Sequence, residues 1–322
     1  MPAAPVKAQG AADAALAANL RGAGWMLLSV LGATGMTVFV RQLTPELHTS
    51  MIAFLRSVVG LLFLAPLLLR SKADARPRIP SPFSLKRPGL HLIRGLLIAV
   101  AINLGFYAIW TLPLAMATIL FFLAPVFSTM LAPAMVGEHV GLRRWVAVGV
   151  GFLGALVVLR PGFAAFEIGA AAAVASSLCF ALALLIGKIA ARADGANAVF
   201  ATSGILSAVM TLPLALPFWE LPSAGWVWFT LALLAAASSL RGYADIRALA
   251  AAEASFVAPV SYLRLPAAAL AGWALFGETV DGWTWAGATI VVGAALFIAL
   301  RERALGRASR RAAAAGPPAL GG

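Results

Sequence analysis

Charge is scarce in this sequence. Of 322 residues only 11% are charged, against about 25% in an ordinary soluble domain. A soluble fold of this length could not cover its surface with so few charges, which excludes a cytosolic enzyme, a disordered chain and a soluble nucleic-acid binder. Acid is scarcer still, with 12 Asp+Glu against 24 Lys+Arg. One cysteine, Cys179, rules out a disulfide framework, and three histidines scattered over unrelated segments make no metal cluster. There is no phosphate-cradling loop and no filter motif of a channel. No cofactor is expected. What fills the chain is apolar: 62% of residues are hydrophobic and the mean hydropathy is +0.94. A net charge of +12 would suggest nucleic acid in a soluble protein. Here the basic residues cluster between long apolar runs, as membrane proteins mark their cytoplasmic side. The sequence is that of a polytopic membrane protein, whose partners are the lipid bilayer and a small molecule and not nucleic acid.

A helix needs about 20 apolar residues to cross the hydrocarbon layer. Ten stretches qualify, near residues 23–41, 48–69, 90–110, 114–136, 145–160, 168–189, 197–218, 225–244, 252–276 and 283–300. Pro113 separates the third from the fourth. Residues 1–21 read as a tail without the pattern of a signal peptide, and 302–322 as a basic tail. Loop charges set the orientation. Arg70, Lys72, Arg76, Arg78, Lys86 and Arg87 follow the second stretch, Arg143 and Arg144 the fourth, Arg192 the sixth, Arg241 and Arg247 the eighth. Alternate loops are nearly bare, with Arg41 and Arg160 at helix ends. Both termini are therefore expected in the cytoplasm of a cell whose inner membrane holds the protein.

The chain also matches itself at a separation of 140 residues. Ala134, Gly137, Glu138, Trp145, Ala155 and Leu156 correspond to Ala274, Gly277, Glu278, Trp285, Ala295 and Leu296. Each half, 22–160 and 161–301, then holds five helices. An odd number forces opposite orientations. The expected fold is all-α and integral to the membrane, with ten transmembrane helices as two inverted five-helix repeats, an arrangement on which secondary transporters are built. A 5+5 repeat can enclose a central pathway in one chain, so a monomer suffices and a homodimer is left open.

Met135-Val136-Gly137-Glu138 and Leu275-Phe276-Gly277-Glu278 resemble the Gly-Glu signatures that close the fourth and ninth helices of the EamA-type branch of the drug/metabolite transporters. The stretch from Glu253 to Tyr262 is similar to that branch's ninth helix, and Phe121-Phe122-Leu123-Ala124-Pro125 to part of the fourth. The resemblance spans about residues 22–300. It implies a 5+5 inverted fold that exports or imports small metabolites, export being the expected direction. Import of a vitamin or nucleoside-like compound is the alternative, and a lipid-handling or scaffold protein the reading without transport.

Ionisable groups inside membrane spans are costly and mark function by default. Arg56 lies in the second span and Arg264 in the ninth, with no Asp or Glu near the middle of any span as bounded above. Such guanidiniums suit an anionic or zwitterionic, amino-acid-like solute. The alternative is that they bond backbone carbonyls or reach an interface. Asn103 and Tyr107, one turn apart on the third span, with Tyr243 and Tyr262, are candidates to line the pathway. Glu138, Glu253 and Glu278 are candidates for coupling or gating; each could instead complement the positive start of a helix.

Overall fold

The computed structural model describes residues 4–70, 85–137, 142–159, 168–194, 196–251, 260–293 and 297. Among the described residues the regular structure is helical, as lipid demands of a chain that must satisfy its backbone internally. The helices are α1 (Ala4–Leu43), α2 (Thr49–Arg70), α3 (Pro88–Thr111), α4 (Leu114–Phe121), α5 (Leu123–Val136), α6 (Leu142–Leu159), α7 (Ile168–Asp194), α8 (Ala196–Ala215), α9 (Gly225–Ala251) and α10 (Arg264–Phe276). A further helix, α11, covers 282–293. Among the described residues five stretches are long and apolar enough to cross a membrane: Leu20–Leu43, Pro88–Thr111, Leu114–Val136, Ile168–Asp194 and Gly225–Asp245. Shorter apolar helices occupy Thr49–Leu62, Val148–Val158, Thr202–Phe218 and Arg264–Phe276.

Several boundaries differ from the sequence reading, three of them for a clear local reason. Helix α1 begins at Ala4, within the expected tail, because its alanines favour helix strongly. The fourth stretch breaks at Phe122. Pro125 has no N–H to give the turn before it, and the amide of Phe122 tightens onto Ile119 O at 3.0 Å. Ser177 of α7 donates to Leu120 O at 2.9 Å, so a neighbouring helix satisfies a carbonyl at the break. Finally, α9 continues past residue 244 to Ala251, which carries Asp245 into the helix.

Helices α5 and α10 both end on a glycine in the left-handed region, Gly137 at φ 69° and Gly277 at φ 66°. That conformation strains any residue with a β-carbon, which explains the glycine of both Gly-Glu pairs.

Helix α1 packs along α9 and α3 along α7, while α2 meets α8 and α9. At Gly32 the first pair comes very close. A β-carbon there would sit 2.9 Å from Ala237 O and 3.0 Å from Arg241 N, both backbone atoms of α9. Gly32→Val should therefore push the helices apart and destabilise the protein by about 1–3 kcal/mol. Thermal unfolding in detergent reads this, with Gly60→Ala, where nothing lies within 4 Å, as the neutral control.

The apolar core is densest where α1 and α3 end and α2 and α4 begin. Leu43, Met51, Ile52, Ile109, Leu112 and Leu114 are all fully buried at that end. These side chains belong to one apolar cluster, a plug at that end of the bundle.

Candidate functional site

Arg56 stands in the first third of α2, with its guanidinium 5.8 Å from the centroid of the Phe106 ring on α3. Its Nε is buried without a hydrogen-bond partner. Among the described residues no carboxylate pairs with it, and Arg241 of α9 is close enough to add repulsion. Three residues before Phe106, Asn103 donates Nδ2 to Ala99 O at 2.9 Å, and its Oδ1 is buried with no donor. An unmet buried polar group costs about 1–3 kcal/mol. A free donor on α2 and a free acceptor on α3, both buried, are therefore costly in a purely structural bundle. Thr34 Oγ1 on α1 is likewise unpartnered.

Arg264 differs from the expectation drawn for it. Its Nη2 donates to Asp245 Oδ1 at 2.8 Å and to Ser29 Oγ at 2.8 Å, and Ser29 Oγ donates to Asp245 Oδ1 at 2.5 Å. Arg241 Nε approaches the other Asp245 oxygen at 4.0 Å, one turn away on α9. The pairing follows from the continuation of α9: on the sequence alone the eighth span ends at residue 244 and Asp245 lies beyond it. Arg264 thus ties α1, α9 and α10 together, and only its Nε is left buried without a partner.

The aromatic candidates divide. Tyr107 packs edge-on against Trp110 at 5.7 Å, beside the core. Tyr262 meets Phe122, the residue at the break of the fourth stretch, with ring centroids 5.3 Å apart and planes tilted by 42°. Those two residues are 140 positions apart, the offset of the internal repeat. Tyr243 is not brought to Arg56: it is 51% exposed and meets Trp25 edge-on at 5.7 Å, with Arg247 over both rings.

Of the carboxylate candidates, Glu138 and Glu253 lie outside the described residues. Glu278 just follows α10. Its Oε1 accepts from Arg41 Nη2 at 3.2 Å, and its Oε2 from the Leu114 amide at 2.7 Å.

One buried pair escaped the sequence reading. His91 of α3 holds Asp194 of α7 at 3.1 Å through Nε2 and Thr202 of α8 at 2.8 Å through Nδ1. Both side chains are almost fully buried. Separations of 103 and 111 residues carry no local signal, so only packing reveals the cluster. His48, in the turn between α1 and α2, stacks on Phe218 with ring centroids 3.4 Å apart, and burial there pushes its imidazole down from the usual value.

Known proteins resemble this chain along most of its length. A model of the EamA-like transporter family matches residues 20–160. The S-adenosylmethionine uptake transporter of Rickettsia felis is 30% identical over 289 residues, 90% of this chain and 96% of the relative. The riboflavin transporter of Vibrio cholerae is 29% identical, across 91% of this chain and 98% of its own. The pseudopaline exporter of Pseudomonas aeruginosa is 27% identical, across 86% and 96%. A solved crystal structure shares the fold with a TM-score of 0.57 at 17% identity, covering 88% of this chain and 97% of the other.

Proposed function

The chain belongs to the EamA-like transporter family, drug/metabolite transporters of small molecules, and from that premise we propose that it carries an amino-acid-like solute across the inner membrane by alternating access of two inverted five-helix halves. The relatives are transporters and not enzymes. The observation that carries the substrate class is the pair of buried unmet groups, Arg56 Nε on α2 and Asn103 Oδ1 on α3. The Arg56 guanidinium calls for an anionic oxygen, and Asn103 Oδ1 calls for a donor. A zwitterion brings a carboxylate and an ammonium together and can answer both.

The helix pairing supports the inverted arrangement. Counting the ten apolar stretches in order, the first packs on the eighth and the third on the sixth. Advancing each by five turns one pair into the other, as a two-fold between the halves requires. The contact of Phe122 with Tyr262 supports it again, because residues equivalent by the repeat meet where such an axis passes. The arginine-rich loops support cytoplasmic termini.

Direction follows the solute gradient in this reading, as exchange or uniport. Uptake is favoured by the Rickettsia felis relative and export by the Pseudomonas aeruginosa one. The test is flux into proteoliposomes holding purified protein. Labelled amino acids, S-adenosylmethionine, riboflavin and nucleosides are offered with and without a pH gradient. Saturable, exchangeable accumulation of a carboxylate-bearing solute is expected. Movement of uncharged solutes alone would overturn the substrate class, and no flux from the pool would remove the support for a carrier of this kind.

A further inference from the structure

We infer that Glu278 and Arg41 form the clasp that shuts the end of the transport pathway where α1 and α3 finish, and that this clasp must part in each cycle. The inference rests on the alternating-access reading and adds the residues that gate one side.

Leu112 and Pro113 turn the chain so sharply that the C-terminus of α3 lies beside the N-terminus of α4. The last carbonyls of a helix are partly negative and unpaired, and the first amides partly positive. Arg41, at the end of α1, meets the first need. Its Nη1 donates to Ile109 O at 2.6 Å, Trp110 O at 2.6 Å and Leu112 O at 3.0 Å. Glu278 meets the second through the Leu114 amide. The two side chains then pair with each other at 3.2 Å, only 24% and 12% exposed. Each charge therefore complements a helix end as well as its partner. Four chain segments converge on one ion pair: the ends of α1, α3 and α10 and the start of α4.

The end of α10 is shaped to deliver that carboxylate. Gly277 turns left-handed, and the Glu278 amide returns to Gly272 O at 3.1 Å. This folds the side chain back over its own helix. A β-carbon on Gly272 would collide with Glu278 Oε2, so the carboxylate rests where only glycine leaves room. The Arg41 guanidinium also lies 5.9 Å from the Phe276 ring. Behind the clasp sits the plug that includes Leu43, Met51, Ile109 and Leu112. Water can reach it from that end only when α10 and α1 leave the α3–α4 turn.

The experiment needs no transported solute, so failure of the clasp and failure of the transport reading are told apart. In full-length protein carrying Cys179→Ala in lipid nanodiscs, a cysteine at Met51, fully buried in the plug, is modified with a soluble maleimide. A second cysteine, at the buried Ala190 near the opposite end, is followed separately. Glu278→Gln and Arg41→Gln should each speed modification at Met51 by about tenfold, and the double variant should add little, because both remove one interaction. Ala190 should stay protected. Gly272→Ala should act in the same direction while keeping the carboxylate, which guards against a folding defect peculiar to Glu278→Gln. Exchanging the charges, Arg41→Glu with Glu278→Arg, should not restore protection, since each charge would then face the wrong helix end. Unchanged modification at Met51 in Glu278→Gln and Gly272→Ala, or equal exposure of both cysteines, would overturn the gate. Protection regained on charge exchange would overturn its helix-end basis.

Discussion

Arg56→Gln should abolish most carrier-mediated flux while leaving the protein at least as stable as before. Hydrogen bonds to a charged group contribute about 1.5–3 kcal/mol, so losing the guanidinium should weaken apparent solute affinity about 10- to 150-fold. Stability should move the other way. Arg56 has no carboxylate partner among the described residues, has an unsatisfied buried Nε and is repelled by Arg241. A charge held in the bundle without compensation is a burden on the fold, and its removal relieves that burden. Loss of function with a higher unfolding temperature separates a solute-binding residue from a structural one. Arg56→Lys should fall between, since an ammonium keeps the charge but not the planar fork. Measured flux and thermal unfolding on the same preparations decide the matter. A drop in both would assign Arg56 to the scaffold.

Asp245→Asn should produce the opposite signature, a large loss of stability. Asp245 neutralises Arg264 at 2.8 Å and helps to balance Arg241 at 4.0 Å, and it accepts from Ser29 as well. Removing one partner of a buried ion pair costs about 3–5 kcal/mol. The Asp245 side chain is 32% exposed, so about 2–3 kcal/mol is the better expectation after allowing for that exposure. Two guanidiniums would then face each other with no counter-charge between α9 and α10. Arg264→Gln should be milder, because it leaves Asp245 with Arg241, and adding it to Asp245→Asn should recover part of the loss. Thermal unfolding of the two single variants and the double variant gives the cycle. A neutral Asp245→Asn would show that water or lipid headgroups already screen the cluster.

These two residues also show where sequence reading stops. The apolar stretches were legible because a helix in lipid must be apolar over a fixed length, and helix falls within the described part of each. Arg56 was legible for the same reason, as a charge inside such a stretch. Asp245 was not: at the edge of an apolar run a charge looks like the start of a loop, and nothing local says that α9 continues. Tyr243 shares a helical face with Ser239, yet periodicity does not say which face meets a neighbour, and the ring lies against Trp25 on an exposed side. The Gly-Glu motif announced Gly277 and Glu278 without their partner. Arg41 lies 237 residues away from Glu278, and only the fold brings them together. His91 and Asp194 escaped for the same reason.

The most direct test of the substrate site pairs a change in the solute with a change in the protein. Once flux identifies a carboxylate-bearing solute, its affinity and that of its methyl ester are measured by titration calorimetry against wild type and Arg56→Gln. Esterification should weaken binding to wild type at least tenfold and scarcely alter binding to Arg56→Gln, because the guanidinium and the carboxylate form one interaction. An equal penalty for the ester in both proteins would contradict it and place the anionic group elsewhere in the pathway.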